Sequence, residues 1–222
     1  MLEIMALKSS TLHAFRMPPF HETIIVMPTK SLDVAKKASE IFLKRTDKNG
    51  LFLMVEDDGN LGPIMMYNLI YAKTSSMYFA YIAQTGFPGR YWLDNAISGI
   101  EGQHCGLLAF NDGATFGETA IFGLAKREWV NHIYSIFLFH PEYKTHFAAT
   151  ELSVIAFEMG KLAYNPDAVI VDTDVEAHLR PVNTEDETLY KARARKGFDG
   201  IIDPFEPESG RFRPVGEAPA AP

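Results

Sequence analysis

Cysteine is nearly absent: Cys105 stands alone among 222 residues, so no internal disulfide can form and no thiolate zinc cluster can assemble. A reducing compartment is the natural setting, and Cys105 reads as a small core residue. Long apolar runs are missing too. No stretch approaches the ~18 uninterrupted apolar residues of a membrane-spanning helix, and the N-terminus, with Glu3, Lys8, His13 and Arg16, lacks a signal-peptide core. The expectation is a soluble, cytoplasmic protein with no membrane partner. Positive charge is scarce: 21 Lys and Arg against 28 Asp and Glu give a formal net charge of -7, which disfavours broad, nonspecific binding to nucleic acid. No internal repeat is visible, and no Gly-rich, Lys-bearing phosphate loop follows the first strong strand, which removes the usual signature of a nucleotidyltransferase or phosphate-loop enzyme.

What is present is an ordinary folding composition, 47% hydrophobic and 22% charged, enough for one large domain at ~100–200 residues per domain. Residues 1–22 read as an arm that packs on the domain or fixes an assembly. Thr23-Ile24-Ile25-Val26-Met27 is a β-prone run ended by Pro28-Thr29, and Ser31 is a suitable N-cap for a helix over 32–45. Leu51 to Val55 is a second apolar strand that runs into Glu56-Asp57-Asp58-Gly59-Asn60. Strand, helix, strand is a parallel unit, and its acids leave the carboxyl end of the second strand. A helix over 64–73 carries Asn68 among apolar neighbours, and a strand over 77–83 ends in Gln84-Thr85-Gly86. The segment Gly106 to Arg127 is central to the chain. Its apolar strand emerges into Asn111-Asp112-Gly113 and continues through small residues to Phe122-Gly123-Leu124. A helix over 150–160, strands at 162–164 and 168–171, and a charged, Pro-rich tail over 206–222 complete the reading. The fold class expected is α/β: one domain over 23–205, with a mixed, mostly parallel central sheet flanked by helices.

That order of segments resembles the GT-A-fold, nucleotide-sugar-dependent glycosyltransferases, in particular small family-two-like enzymes of phage type. Ile25 to Thr29 resembles their first strand and nucleotide-contacting turn. Val55 to Asn60 resembles their strand ending in Asp-Asp-Gly-Ser, and Gly62 with Asn68 their following helix. Phe122 through Trp129 is similar to the segment that closes over the sugar, Thr150-Glu151-Leu152 to the acidic helix start that faces the acceptor, and Val175 to His178 to the late histidine that helps hold a metal. The resemblance implies a Rossmann-like fold and transfer of a sugar from a nucleoside-diphosphate donor to an acceptor hydroxyl. It also implies nucleotide-sugar contacts by Pro28, Thr29, Asp57, Asp58, Asn68, Gln84, Thr85 and Gly123, catalysis by Glu151 and Asp112, and His178 as a metal ligand.

One departure bears on the cofactor. The family's metal-holding Asp-x-Asp ends the strand where this chain has Gln84-Thr85, so Mn2+ or Mg2+, which favour charged oxygen ligands, are expected to matter weakly or unusually. The acceptor is open between DNA carrying a modified base, a protein and a small glycan. A local DNA grip would fall to Arg90, Lys126, Arg127 and the run from Lys191 to Lys196. A catalytically degenerate member that binds a nucleotide sugar or carbohydrate without turnover is the alternative.

Overall fold

A computed structural model describes residues 1–16, 18–174 and 181–207. In chain order its elements are β1 (Leu2–Lys8), β2 (His21–Thr29), α1 (Leu32–Lys44), β3 (Gly50–Glu56), α2 (Pro63–Lys73), β4 (Ser76–Tyr81), β5 (Gly86–Pro88), α3 (Trp92–Gly102), β6 (Leu107–Asn111), β7 (Gly123–Lys126), α4 (Arg127–Tyr134), α5 (Ala148–Glu158), β8 (Leu162–Asp172) and α6 (Thr184–Ala194). The strands form one sheet in the order β1-β3-β2-β4-β7-β6-β8-β5. β1, β3, β2 and β4 are mutually parallel, β6 and β8 are parallel, and β7 and β5 run antiparallel to their neighbours. The expected α/β class, with a mixed and mostly parallel sheet flanked by helices, is the observed one.

The central strands are apolar on both faces, as parallel strands covered by helices must be. With a side-chain period of two, Ile24 and Val26 of β2 enter one core with Ile70 of α2 and Leu152 of α5. Ile25 and Met27 enter the other with Ala35 of α1 and Trp92 of α3. The lone thiol Cys105 is buried in that second core.

Two segments differ from the sequence reading. The arm is part of the sheet: Leu2 to Lys8 pairs in register with Gly50 to Glu56, and β1 forms the edge. The two strands expected around Asn165-Pro166 are one strand, because a register shift between Ala109 and Asn111 absorbs the irregularity against β6. Ile136 to Phe139, apolar enough for a strand, lies in a loop that Asn68 holds by its backbone.

The connections place the helix starts. α1 and α2 leave the carboxyl ends of β2 and β3 and return to the amino ends of the next parallel strands. α5 leads into β8, which is parallel to β6, so its first turn also sits at the carboxyl edge of the sheet. In open α/β sheets that edge is where ligands bind.

Candidate functional site

Two adjacent strand ends and the turn after β4 build the first half of the site. The Asp57 amide donates to the Thr29 carbonyl at 2.8 Å, which ties the end of β3 to the end of β2. The Thr29 hydroxyl donates to Gln84 Oε1 across to the turn after β4. Pro28 lies beyond the last β2–β4 pair, Val26 with Tyr81, so its missing N–H removes no bond to that strand. Asp57 turns its carboxylate inward: Oδ1 accepts from the Leu61 amide at 2.7 Å and Oδ2 from the Gly62 amide at 3.1 Å. Lys30 stands 3.7 Å from Oδ2. Gly62 has φ 79, a left-handed value that favours glycine, and it starts α2 directly after this turn. Thr85 is fastened from the other side, where the Thr173 amide and hydroxyl both donate to its carbonyl, at 3.0 and 2.7 Å.

Asp58 points to the arm. Its carboxylate accepts from the Ser10 amide at 2.9 Å, the Ser10 hydroxyl at 2.7 Å and the Ser9 hydroxyl at 3.1 Å. These bonds, the Ser10 amide first, hold its pKa below the ordinary carboxylate value. Asn68 is buried inside α2, and its amide clamps a backbone, donating to Phe139 O at 3.0 Å and accepting from the Leu138 and Phe139 amides at 3.1 and 2.9 Å. Asp112 is buried at the end of β6 and closes its own turn, accepting from the Ala114 and Thr115 amides and the Thr115 hydroxyl. Gly123 faces Tyr81 across the β4–β7 register. A Cβ there would stand 2.3 Å from the Tyr81 hydroxyl, which itself donates to Ala120 O at 2.8 Å.

The second half of the site surrounds the start of α5. Glu151 is 0% exposed and receives four bonds: the Tyr134 hydroxyl and Arg193 Nη2 on Oε1, the Tyr143 hydroxyl and Arg193 Nε on Oε2, all between 2.7 and 2.9 Å. Burial, reinforced by the Glu151 charge, pushes both tyrosine hydroxyls far above their ordinary range. Burial alone would lower the Arg193 pKa, but the bonds from Glu151 and then Asp199 more than offset it, and the guanidinium stays charged. Its Nη1 continues outward to Asp199 Oδ2 at 2.8 Å. His140 packs against both tyrosine rings, at 6.3 and 6.0 Å between centroids. Its buried Nδ1 has no hydrogen-bond partner, and burial, then Arg193, hold its pKa below the ordinary histidine value.

The structure thus brings Thr29, Asp57, Gln84 and Thr85 together, whereas Asp112 and Glu151 are buried groups whose carboxylates bond elsewhere, to the turn after β6 and to Tyr134, Tyr143 and Arg193. His178 lies outside the described residues. Arg193, Tyr134, Tyr143 and Asp199 were not readable as site residues. α6 looks like a solvated charged helix, and nothing local marks Arg193 as the partner of a carboxylate 42 residues earlier. The Asn183 N-cap and the acids of its first turn were the available signal for that helix.

No family model matches the chain, and no curated protein is similar to it by sequence. Solved structures are. The mannosyltransferase PcManGT from Pyrobaculum calidifontis, in complex with GDP-Man and Mn2+, superposes with a TM-score of 0.57 at 12% identity over 74% of this chain. S. aureus TarS superposes with 0.55 at 13% over 78%, and its 1–349 fragment with UDP-GlcNAc with 0.51 at 14% over 78%. This is a glycosyltransferase fold. The chain spans 60%, 39% and 64% of the lengths of those three chains. No described helix is long and apolar enough to cross a membrane.

The Mn2+ held by PcManGT sets a test for the donor groups here. The turn after β4 offers the neutral side chains of Gln84 and Thr85, the Asp57 carboxylate already receives two amides, and among the described residues no group of three or more His, Cys, Asp or Glu converges. That set does not build a cage for a hard divalent cation.

Proposed function

We propose that the chain is a glycosyltransferase that takes a sugar from a nucleoside-diphosphate donor bound at the carboxyl edge, along the ends of β2 and β3 and the turn after β4. The observation that carries the reading is the joining of Thr29, Asp57 and Gln84 at that edge, in a fold shared with glycosyltransferases solved with GDP-Man and UDP-GlcNAc. In this reading Thr29, Pro28, Gln84 and Thr85 line the nucleotide, and Asp57 shapes the turn against which base and ribose lie. Lys30 supplies positive charge, and Gly123 keeps a side chain out of the space beside Tyr81. Asp58 secures β1 and the arm beside that turn. Asn68, Asp112 and Glu151 act by fixing the loops and the helix start that wall the acceptor side.

The acceptor is a hydroxyl compound whose class is open. DNA has little support from charge, because most of the concentrated cations have internal partners. Lys126 pairs with Glu101, Arg127 stacks on Tyr71 and bonds Tyr71 O, Thr74 and Ser76, Arg193 serves Glu151, and Arg195 meets Glu206.

The test is release of nucleoside diphosphate from a panel of UDP- and GDP-sugars, with water as the acceptor. Turnover of at least one donor is expected. Binding of a donor with no release would favour the second reading, a nucleotide-sugar-binding protein without turnover, which the neutral Gln84-Thr85 end suggests. Neither binding nor release would dismiss both.

A further inference from the structure

The two edges of the sheet are built differently. At one end β5 is three residues long and closes with Pro88, while the Arg45 guanidinium donates to Pro88 O and lies over the Phe87 ring. A short strand, a proline and a cation are devices that keep an edge from pairing with another chain. At the other end β1 is unprotected along its middle. It is seven residues long, contains no proline and pairs residue for residue with β3 without a bulge. No described strand lies beyond it, so alternate residues turn their N–H and C=O groups outward. Glu3, Ile4, Met5 and Ala6 are all exposed, Ile4 by 49% and Met5 by 36%.

We infer that β1 pairs antiparallel with β1 of a second copy of this chain, so that two sheets continue as one across a twofold axis at Met5. The order of residues selects that occupant. β1 reads acid, apolar, base: Glu3, then Ile4-Met5-Ala6-Leu7, then Lys8. An antiparallel copy brings the Glu3 end of each strand to the Lys8 end of the other, where Lys8 already stands 3.8 Å from Glu56 of its own sheet. A parallel copy would set like charges together. Twofold interfaces are isologous and require this kind of self-complementarity.

One register pairs the whole strand, with Leu2 opposite Lys8, Glu3 opposite Leu7, Ile4 opposite Ala6 and Met5 opposite its own counterpart. Opposed residues then point to the same face of the joined sheet, as the period of two demands. Exposed Ile4 and Met5 gain apolar neighbours, and the outward backbone groups gain partners. Because β1 is parallel to β2 and β3, the axis turns the two carboxyl edges in opposite directions and leaves both open. The pairing therefore stands apart from donor binding and does not depend on the glycosyl-transfer reading.

An interface made of one strand is small, so sedimentation of the full chain from about 1 to 200 μM should show the mass rising from one chain toward two. Met5→Lys sets two ammonium groups opposite each other across the axis and should weaken the dimer at least about tenfold. The side chain is exposed, so the melting temperature should stay within a few degrees. Met5→Cys tests the register without relying on that variant: opposed Cα atoms lie about 4.5–5.5 Å apart, within disulfide reach, and mild oxidation should link two chains. Glu3→Cys should not link, because its counterpart lies about 14 Å away along the strand. A chain that stays monomeric throughout, which would leave the edge to another protein's strand or to none, overturns the inference. So does Met5→Cys that fails to link, or that links no faster than Glu3→Cys.

Discussion

Replacing Glu151 by leucine removes the charge at the centre of the buried cluster. Arg193 would be left with its guanidinium 9% exposed and two of its donors facing hydrocarbon, and the Tyr134 and Tyr143 hydroxyls would lose their acceptor. Breaking a buried ion pair from one side costs about 3–5 kcal/mol, and each stranded hydroxyl adds about 1–3 kcal/mol if nothing replaces its partner. These terms overlap because the same space can admit water, so a net loss of about 4–6 kcal/mol is expected. That is a large part of the roughly 5–15 kcal/mol that holds a domain folded. At about 2–4 °C per kcal/mol for a chain of this size, the midpoint should fall by about 10–20 °C. A thermal scan followed by circular dichroism measures the midpoint, and urea unfolding the free-energy loss. The double variant Glu151→Leu with Arg193→Met should recover at least about 2 kcal/mol of the loss, since replacing both ions by apolar groups is often neutral. A single variant within about 1 kcal/mol of the unmodified chain would refute the view of Glu151 as the electrostatic centre of the α5 start.

Gly123→Ala should drive a methyl into the Tyr81 hydroxyl, break its bond to Ala120 O and destabilise by about 1–3 kcal/mol, read by the same urea titration. His140 gives a pH signature. Its folded pKa is depressed by burial and then by Arg193, so the unfolded chain binds its proton first. Its contribution is fully present above about pH 6.5 and is lost as pH falls toward the folded pKa. The melting temperature should therefore drop between pH 7 and 5, with a shallower drop in His140→Gln; equal slopes would dispute the cause. Removal of divalent cations with a chelator should leave donor affinity within about threefold, because Gln84 and Thr85 bring no carboxylate to the nucleotide; full loss restored by manganese would contradict this.

The parallel half of the fold was legible because β2, β3 and β4 are apolar runs bounded by turns, and α1 carries Ala35, Ala38 and Phe42 toward one core. Thr29, Asp57 and Gln84 could be placed by the same logic, as polar residues delivered by buried strands. β1 escaped notice because Leu2-Glu3-Ile4-Met5-Ala6-Leu7 carries no apolar–polar alternation, and Glu3, Ile4 and Met5 are all exposed in the strand. β8 was divided at Pro166, a residue that ordinarily interrupts a sheet. The acceptor side was the least legible. An acid in a helix's first turn is favoured by the helix dipole whatever its task, so the sequence pattern of Glu151 is the same for an open base and for a walled-in ion. The difference lies in Arg193, Tyr134 and Tyr143, which converge only through tertiary packing.

Titration of UDP- and GDP-sugars into the full chain by calorimetry, repeated with Thr29→Val and Gln84→Ala, tests donor binding at the carboxyl edge most directly. The expected result is saturable binding of at least one donor with a Kd in the range of about 1 μM to 1 mM, weakened at least tenfold by either substitution with no change in melting temperature beyond a few degrees. No heat of binding for any donor, or binding that both variants leave untouched, would contradict it.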